Sequence, residues 1–308
     1  ILDLANNDAA RTDASRAMDE LIDIHPHVIS PDTDRYPLSP LGGNQSTWSK
    51  HPVSYDDLVR AMDEAGVAKA VVVQASTAYG HDNTYLAEAV AAHPDRLTGV
   101  CSVDVLAQDA IAVLKGWQDR GMVGLRLFTT GSTMPGQAGW LDDPRSFPVW
   151  DYAAETGLPI CVQMQPEGIV LLRNLLDRFP RAKVVIDHLA RPVLSDGPPY
   201  AAAAGLFGLA AYPGVHLKLT LRNILAAGQG NSTVPAFLSH LIGAFGANRI
   251  AWGSNYPAAE KPLAELVAAA GEAFVTLSDD DRRWLTSGTA RALYPVLNHM
   301  QAGVRTHA

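Results

Sequence analysis

Two histidines spaced i, i+2 close the first apolar run of the chain, where Leu21-Ile22-Asp23-Ile24 leads into His25-Pro26-His27. On a strand this spacing points both side chains to one side, so the two imidazoles can converge on one ion or one substrate atom. A third histidine, His188, ends a later run, Val184-Val185-Ile186-Asp187-His188. One histidine at a strand end reads as structural. Three are harder to dismiss, because burying imidazoles without partners costs free energy. Gathered in one place and neutral, His25, His27 and His188 form a sufficient ligand set for a catalytic divalent metal, zinc above all, with water in the open position. The alternative is three separate hydrogen-bonded core histidines.

Arg126 lies inside the apolar run Gly124-Leu125-Arg126-Leu127, where an unpaired guanidinium would be costly. Either it pairs with an internal acid such as Asp104, or it waits for an anionic substrate, whose carboxylate its planar fork suits bidentately. Gln163, Tyr79 and the loop residue Arg222 are further candidate substrate contacts. Glu167 and Asp104 are the nearest candidate general bases, although loop acids often cap helices instead. The last apolar run, Ile250-Ala251-Trp252-Gly253-Ser254-Asn255, ends on an amide. An amide is no general base and a poor metal ligand. Asn255 therefore enters the candidate catalytic set, beside His188 and Glu167, as a hydrogen-bonding partner of substrate or of metal-bound water.

The elements that must position these residues alternate about eight times. Strands are expected at 21–28, 69–76, 97–104, 123–129, 159–164, 183–189, 215–220 and 250–255. Most are near-continuous apolar runs, as parallel strands buried on both faces require. Amphipathic helices are expected at 55–65, 83–92, 111–120, 149–156, 169–179, 200–211 and 234–245. Gly66, Gly121 and Gly157 stand where helices must end. The pattern predicts an α/β fold, a single (β/α)8 barrel over residues 21–308 preceded by an arm at 1–20. Without Gly-x-Gly-x-x-Gly after an early strand, a dinucleotide-binding sheet is disfavoured. Two insertions, 30–53 after strand one and 129–148 after strand four, exceed ordinary loop lengths and read as lids over the C-terminal face of the barrel.

The bulk numbers agree with one large soluble domain. The chain has 308 residues, 47% hydrophobic and 18% charged. A net charge of −8 and a pI near 5.6 favour neither nucleic acid nor an anionic membrane surface, leaving a small molecule as the expected partner. Cys101 and Cys161 lie in apolar runs and read as buried thiols of a reducing, cytoplasmic protein. There is no run long enough to span a membrane, and residues 1–20 lack the apolar stretch of a secretory signal.

Taken in order, these residues resemble the amidohydrolase superfamily. They are Ile22-Asp23-Ile24-His25-Pro26-His27, Val73-Gln74 with Tyr79-Gly80-His81-Asp82-Asn83, Gly124-Leu125-Arg126, Ile186-Asp187-His188-Leu189-Ala190-Arg191-Pro192 and Trp252-Gly253-Ser254-Asn255-Tyr256-Pro257. The resemblance is to the branch holding 2-pyrone-4,6-dicarboxylate, fuconolactone and sulfomuconolactone hydrolases, and it spans roughly 21–297. It implies a hydrolase opening a lactone or related cyclic ester or amide, often carboxylated. The equivalents of His25, His27 and His188 would bind metal or polarise the carbonyl, and that of Arg126 would grip a carboxylate. Some members of the branch work without metal. Relatives normally carry Asp where this chain has Asn255, which favours one alternative, an inactive partner subunit of an active homologue. Two others rest on the same barrel: an iron or manganese oxygenase, for which the histidines are the signal, and a metal-dependent decarboxylase, whose metal site the missing carboxylate weakens. A homo-oligomer, or pairing with a homologous subunit, stays open as a further expectation.

Overall fold

The computed structural model describes residues 20–43, 46–129 and 139–300. The expected N-terminal arm lies outside them except for Glu20, and so does the 130–138 part of the second insertion. Eight strands form one parallel sheet in sequence order: β1 Leu21–Asp23, β2 Val67–Val73, β3 Leu97–Cys101, β4 Met122–Phe128, β5 Ile160–Gln163, β6 Val184–Ile186, β7 Val215–Leu219 and β8 Ile250–Trp252. Helices between the strands complete a (β/α)8 barrel.

The seam between β8 and β1 is narrow. The Ile24 N–H donates to the Trp252 carbonyl (3.3 Å), and Oδ1 of the buried Asp23 accepts the backbone N–H groups of both Ser254 and His25 (2.9 Å each). Gly253 is needed there, because a Cβ on it would lie 2.6 Å from His25 Cβ.

Alternation along the strands divides the core. Ile22, Ile24, Val71, Val73, Val185 and Ala251 fill the barrel interior, which Leu293, Tyr294 and Leu297 close from below. Ala70, Val72, Val184, Ile186 and Leu217 face the helices. Gly66 and Gly157 end their helices in left-handed conformations, with φ of 74° and 71°. Helix Tyr55–Ala65 begins at a capping box between Ser54 and Asp57, which satisfies two of its orphan N–H groups.

Several expectations change in the structure, strand one among them: it stops at Asp23, so that His25 and His27 stand just beyond it. The segment expected as one helix over 200–211 is a five-residue helix, Ala204–Gly208, flanked by two 3-10 turns; Tyr200 is left-handed with φ 60°, and Gly205 and Gly208 weaken the helix between. A helix that was not expected, Leu221–Ala227, follows β7 directly. Strand six stops at Ile186, and the chain then turns left-handed. No described helix is long and apolar enough to cross a membrane.

Candidate active site

The C-terminal ends of the strands bring the three histidines together. The rings of His25 and His27 are 4.9 Å apart between centroids, and those of His25 and His188 4.8 Å. His25 lies deepest, fully buried over a charged cluster. Asp187, directly after β6, places Oδ1 2.8 Å from Lys218 Nζ and 3.7 Å from His25 Nδ1, while Oδ2 accepts from Arg126 Nε at 3.1 Å. Arg126 also donates to the Gln74 carbonyl (3.1 Å) and to Gln163 Oε1, and its guanidinium lies 4.1 Å over the Phe128 ring. The acid that pairs with Arg126 is thus Asp187 and not Asp104, which is exposed and accepts the N–H of Leu106.

Burial and charge keep this cluster in one protonation pattern. Burial alone would raise the Asp187 carboxyl, but Lys218 and Arg126 more than offset it and hold it at about 2. Desolvation, with nearby cations, pushes His27 and His188 down to about 3 and His25 well below the ordinary imidazole value. All three histidines are therefore neutral near pH 7.

Above the cluster is a cavity of about 150 Å³ lined by His27, His188, Arg126, Arg191, Arg222, Gln163, Asn255, Thr77 and Trp48, with Phe128 and Ala258. No Asp or Glu is among these residues. The cavity shares Arg126 and Phe128 with a hollow of about 370 Å³, and Arg222, Asn255 and Ala258 with one of about 500 Å³. Trp48 comes from the first insertion and stacks on His27, with ring centroids 5.2 Å apart. Trp140, from the second, lines the 370 Å³ hollow.

Of the residues expected at the site, His25, His27, His188, Arg126, Gln163, Arg222 and Asn255 gather at this mouth. Two do not. Glu167 is exposed just before helix Gly168–Arg178 and does not line the cavity. Tyr79 is buried, and its hydroxyl accepts the Ser30 N–H at 2.8 Å, which ties down the start of the first insertion.

Besides Asp187 and Trp48, three further residues join the site that chemistry by spacing did not select. Thr77 has a buried Oγ1 without a hydrogen-bond partner, and Arg191 a buried Nε without one. Lys218 neutralises Asp187. The signal for Arg191 was its position three residues after His188. What places it there is an unusual backbone: His188, Leu189, Ala190 and Arg191 have consecutive φ values of 53°, 55°, 55° and 53°. Such left-handed geometry costs side-chain-bearing residues roughly 1–2 kcal/mol each, and it concentrates where function over-determines the chain.

The residues do not fit a divalent ion as they stand. Arg126 approaches His25 Nε2 to 3.4 Å, Lys218 lies beneath, and Asn255 supplies no carboxylate. No group of three or more His, Cys, Asp or Glu with metal-holding geometry occurs among the described residues.

Comparison with known proteins gives four findings. The model of the amidohydrolase family matches residues 22–296. An L-fucono-1,5-lactonase of Burkholderia ambifaria is 30% identical over 204 residues, covering 65% of this chain and 69% of the relative. Among solved structures, a candidate 2-pyrone-4,6-dicarboxylic acid hydrolase of Pseudomonas putida is similar with a TM-score of 0.72 and 26% identity, over 90% of this chain and 98% of its own. An amidohydrolase of Burkholderia multivorans with bound zinc shares the fold at a TM-score of 0.71 and 20% identity, over 90% and 99% of the two chains.

Proposed function

The chain belongs to the amidohydrolase family, and from that premise we propose that it is a hydrolase opening a lactone that carries carboxylate groups. One observation carries the reading: the cavity at the barrel mouth holds three guanidiniums, Arg126, Arg191 and Arg222, and no acid. Arg126 has an internal counter-charge in Asp187, but no ion pair offsets Arg191 or Arg222 among the described residues. A desolvated guanidinium with an unpaired Nε is a site for an anion, and its fork favours a planar carboxylate. An L-fucono-1,5-lactonase and a candidate 2-pyrone-4,6-dicarboxylic acid hydrolase among the similar proteins are in keeping with this choice.

Lactone opening adds water across the acyl C–O bond. The water oxygen bonds to the carbonyl carbon, the ring oxygen leaves, and one proton moves from the water to that oxygen. Asn255 can donate or accept a hydrogen bond but cannot take this proton. His27 and His188, neutral at the cavity wall, can hold it, and the unpartnered Thr77 hydroxyl is free to contact the ester. The guanidiniums fix the ring and stabilise the oxyanion as it forms. No step is assigned to zinc.

A panel of six-membered lactones with zero, one and two carboxylates tests the proposal. We expect kcat/KM to rise with each carboxylate. A neutral lactone as best substrate, or no turnover of any lactone, overturns it.

A further inference from the structure

The hydrogen bonds behind His188 run in only one direction. Asn223 Nδ2 lies 2.8 Å from the His188 carbonyl, which can only accept, so the amide nitrogen donates there. Its Oδ1 then faces Thr220, accepting the backbone N–H and the side-chain hydroxyl at 3.1 Å each. With its hydrogen committed to Asn223, the Thr220 hydroxyl can only accept from the third neighbour, His188 Nδ1, at 3.0 Å. Nδ1 must therefore carry the ring hydrogen, and Nε2 is left with a bare lone pair. Thr220 and Asn223 are themselves only 1% exposed, so water does not compete for these bonds.

We propose that Thr220 and Asn223 are positioning residues that lock His188 in its Nδ1–H tautomer and present the bare Nε2 to the substrate cavity. The same pair pins the left-handed turn, because the carbonyl held by Asn223 belongs to the first of its four residues. Where Asn255 removes the carboxylate from the end of β8, this lone pair is one of two imidazole acceptors left for the attacking water, the other being on His27, whose Nδ1 donates to the Val73 carbonyl at 2.8 Å. The tautomer follows from the geometry alone; its effect on turnover rests on the lactone-opening reading.

The test is nitrogen-15 NMR of the histidine side chains near neutral pH, with His188 assigned by its absence in His188→Gln. We expect a protonated Nδ1 and a bare Nε2 in the wild-type protein. Thr220→Val should mix or reverse the tautomers and lower kcat on a carboxylated lactone by about 10²-fold with little change in KM, the loss expected when a proton acceptor is misassigned. Thr220→Ser keeps the hydroxyl and should restore both. A wild-type spectrum with the hydrogen on Nε2 overturns the inference, as does a Thr220→Val protein with unchanged tautomer and kcat. If Thr220→Val does not fold, the wild-type spectrum and the Thr220→Ser variant still decide it. The expected tautomer in a protein that opens no lactone would sink the lactone reading and leave this one standing.

Discussion

Asn255 is where a single atom changes what the site can do. A carboxylate there would stand in a cavity whose other charges are Arg126, Arg191 and Arg222, and would compete with an anionic substrate for them. We expect Asn255→Asp to raise KM for carboxylated lactones and to move the acid limb of the kcat profile to higher pH, since a nearby anion favours imidazolium. Steady-state kinetics across pH checks this. A large gain in kcat without a rise in KM would show that the amide is a handicap and not a working residue. Asp187 is the opposite case, a residue whose charge is indispensable. Asp187→Asn leaves Lys218 and Arg126 buried without a counter-charge, and breaking a buried pair in this way costs about 3–5 kcal/mol. Urea unfolding should report a loss of that order. A loss below about 1 kcal/mol would mean that water or another acid already serves the two cations.

At the scale of elements, the site depends on how close β8 comes to β1. Gly253 lets the two backbones meet beside His25, and a Cβ there overlaps His25 Cβ at 2.6 Å. Gly253→Ala should cost about 1–3 kcal/mol as overpacking and displace His25, lowering kcat more than binding. Denaturant midpoints together with kinetics test it, and an unchanged midpoint would show that the seam yields freely. The first insertion matters in another way. Trp48 forms a wall of the cavity by stacking on His27, so the loop after β1 shapes the substrate space as well as covering it.

The whole molecule carries its functional groups in protonation states that oppose acid. His27 and His188 sit at about 3 in the folded chain against an ordinary 6.5, so the unfolded chain binds more protons from about pH 6.5 downward. Asp187, at about 2 against 3.8, adds to this below about pH 4. Stability should therefore fall as pH drops through 6.5 and fall further toward 2. Replacing His188 by Gln should flatten the first part of that fall, as urea midpoints over a pH series would reveal. Flat stability between pH 6.5 and 4 would mean the histidines are not buried neutral. Because Arg126 and Lys218 crowd the imidazoles, dialysis against a chelator should leave kcat and melting temperature unchanged. One tightly held zinc per chain, lost together with activity, would contradict that.

The sequence by itself determined the barrel, because eight apolar runs alternating with amphipathic helices leave few other ways to bury both faces of every strand. It also determined which residues could reach the mouth: His25 and His27 by their period-two spacing, and Arg126, Gln163, His188 and Asn255 by standing at or near strand ends. Partnership was not legible there. Arg126 sits equally well in its run whether its acid is Asp104 or Asp187, and only the curvature of the sheet brings β4 beside the end of β6. Glu167 and Tyr79 have suitable chemistry and a suitable position in the chain, yet one faces solvent and the other holds a loop. Nor does Ile186-Asp187-His188-Leu189-Ala190-Arg191 reveal that it turns left-handed, since no glycine marks it and local sterics oppose it. That turn exists because Thr220 and Asn223, more than thirty residues away, hold it by hydrogen bonds. Periodicity is a local property that a sequence states directly, whereas charge pairing and strained turns are set by contacts between distant segments, which only the closed barrel supplies.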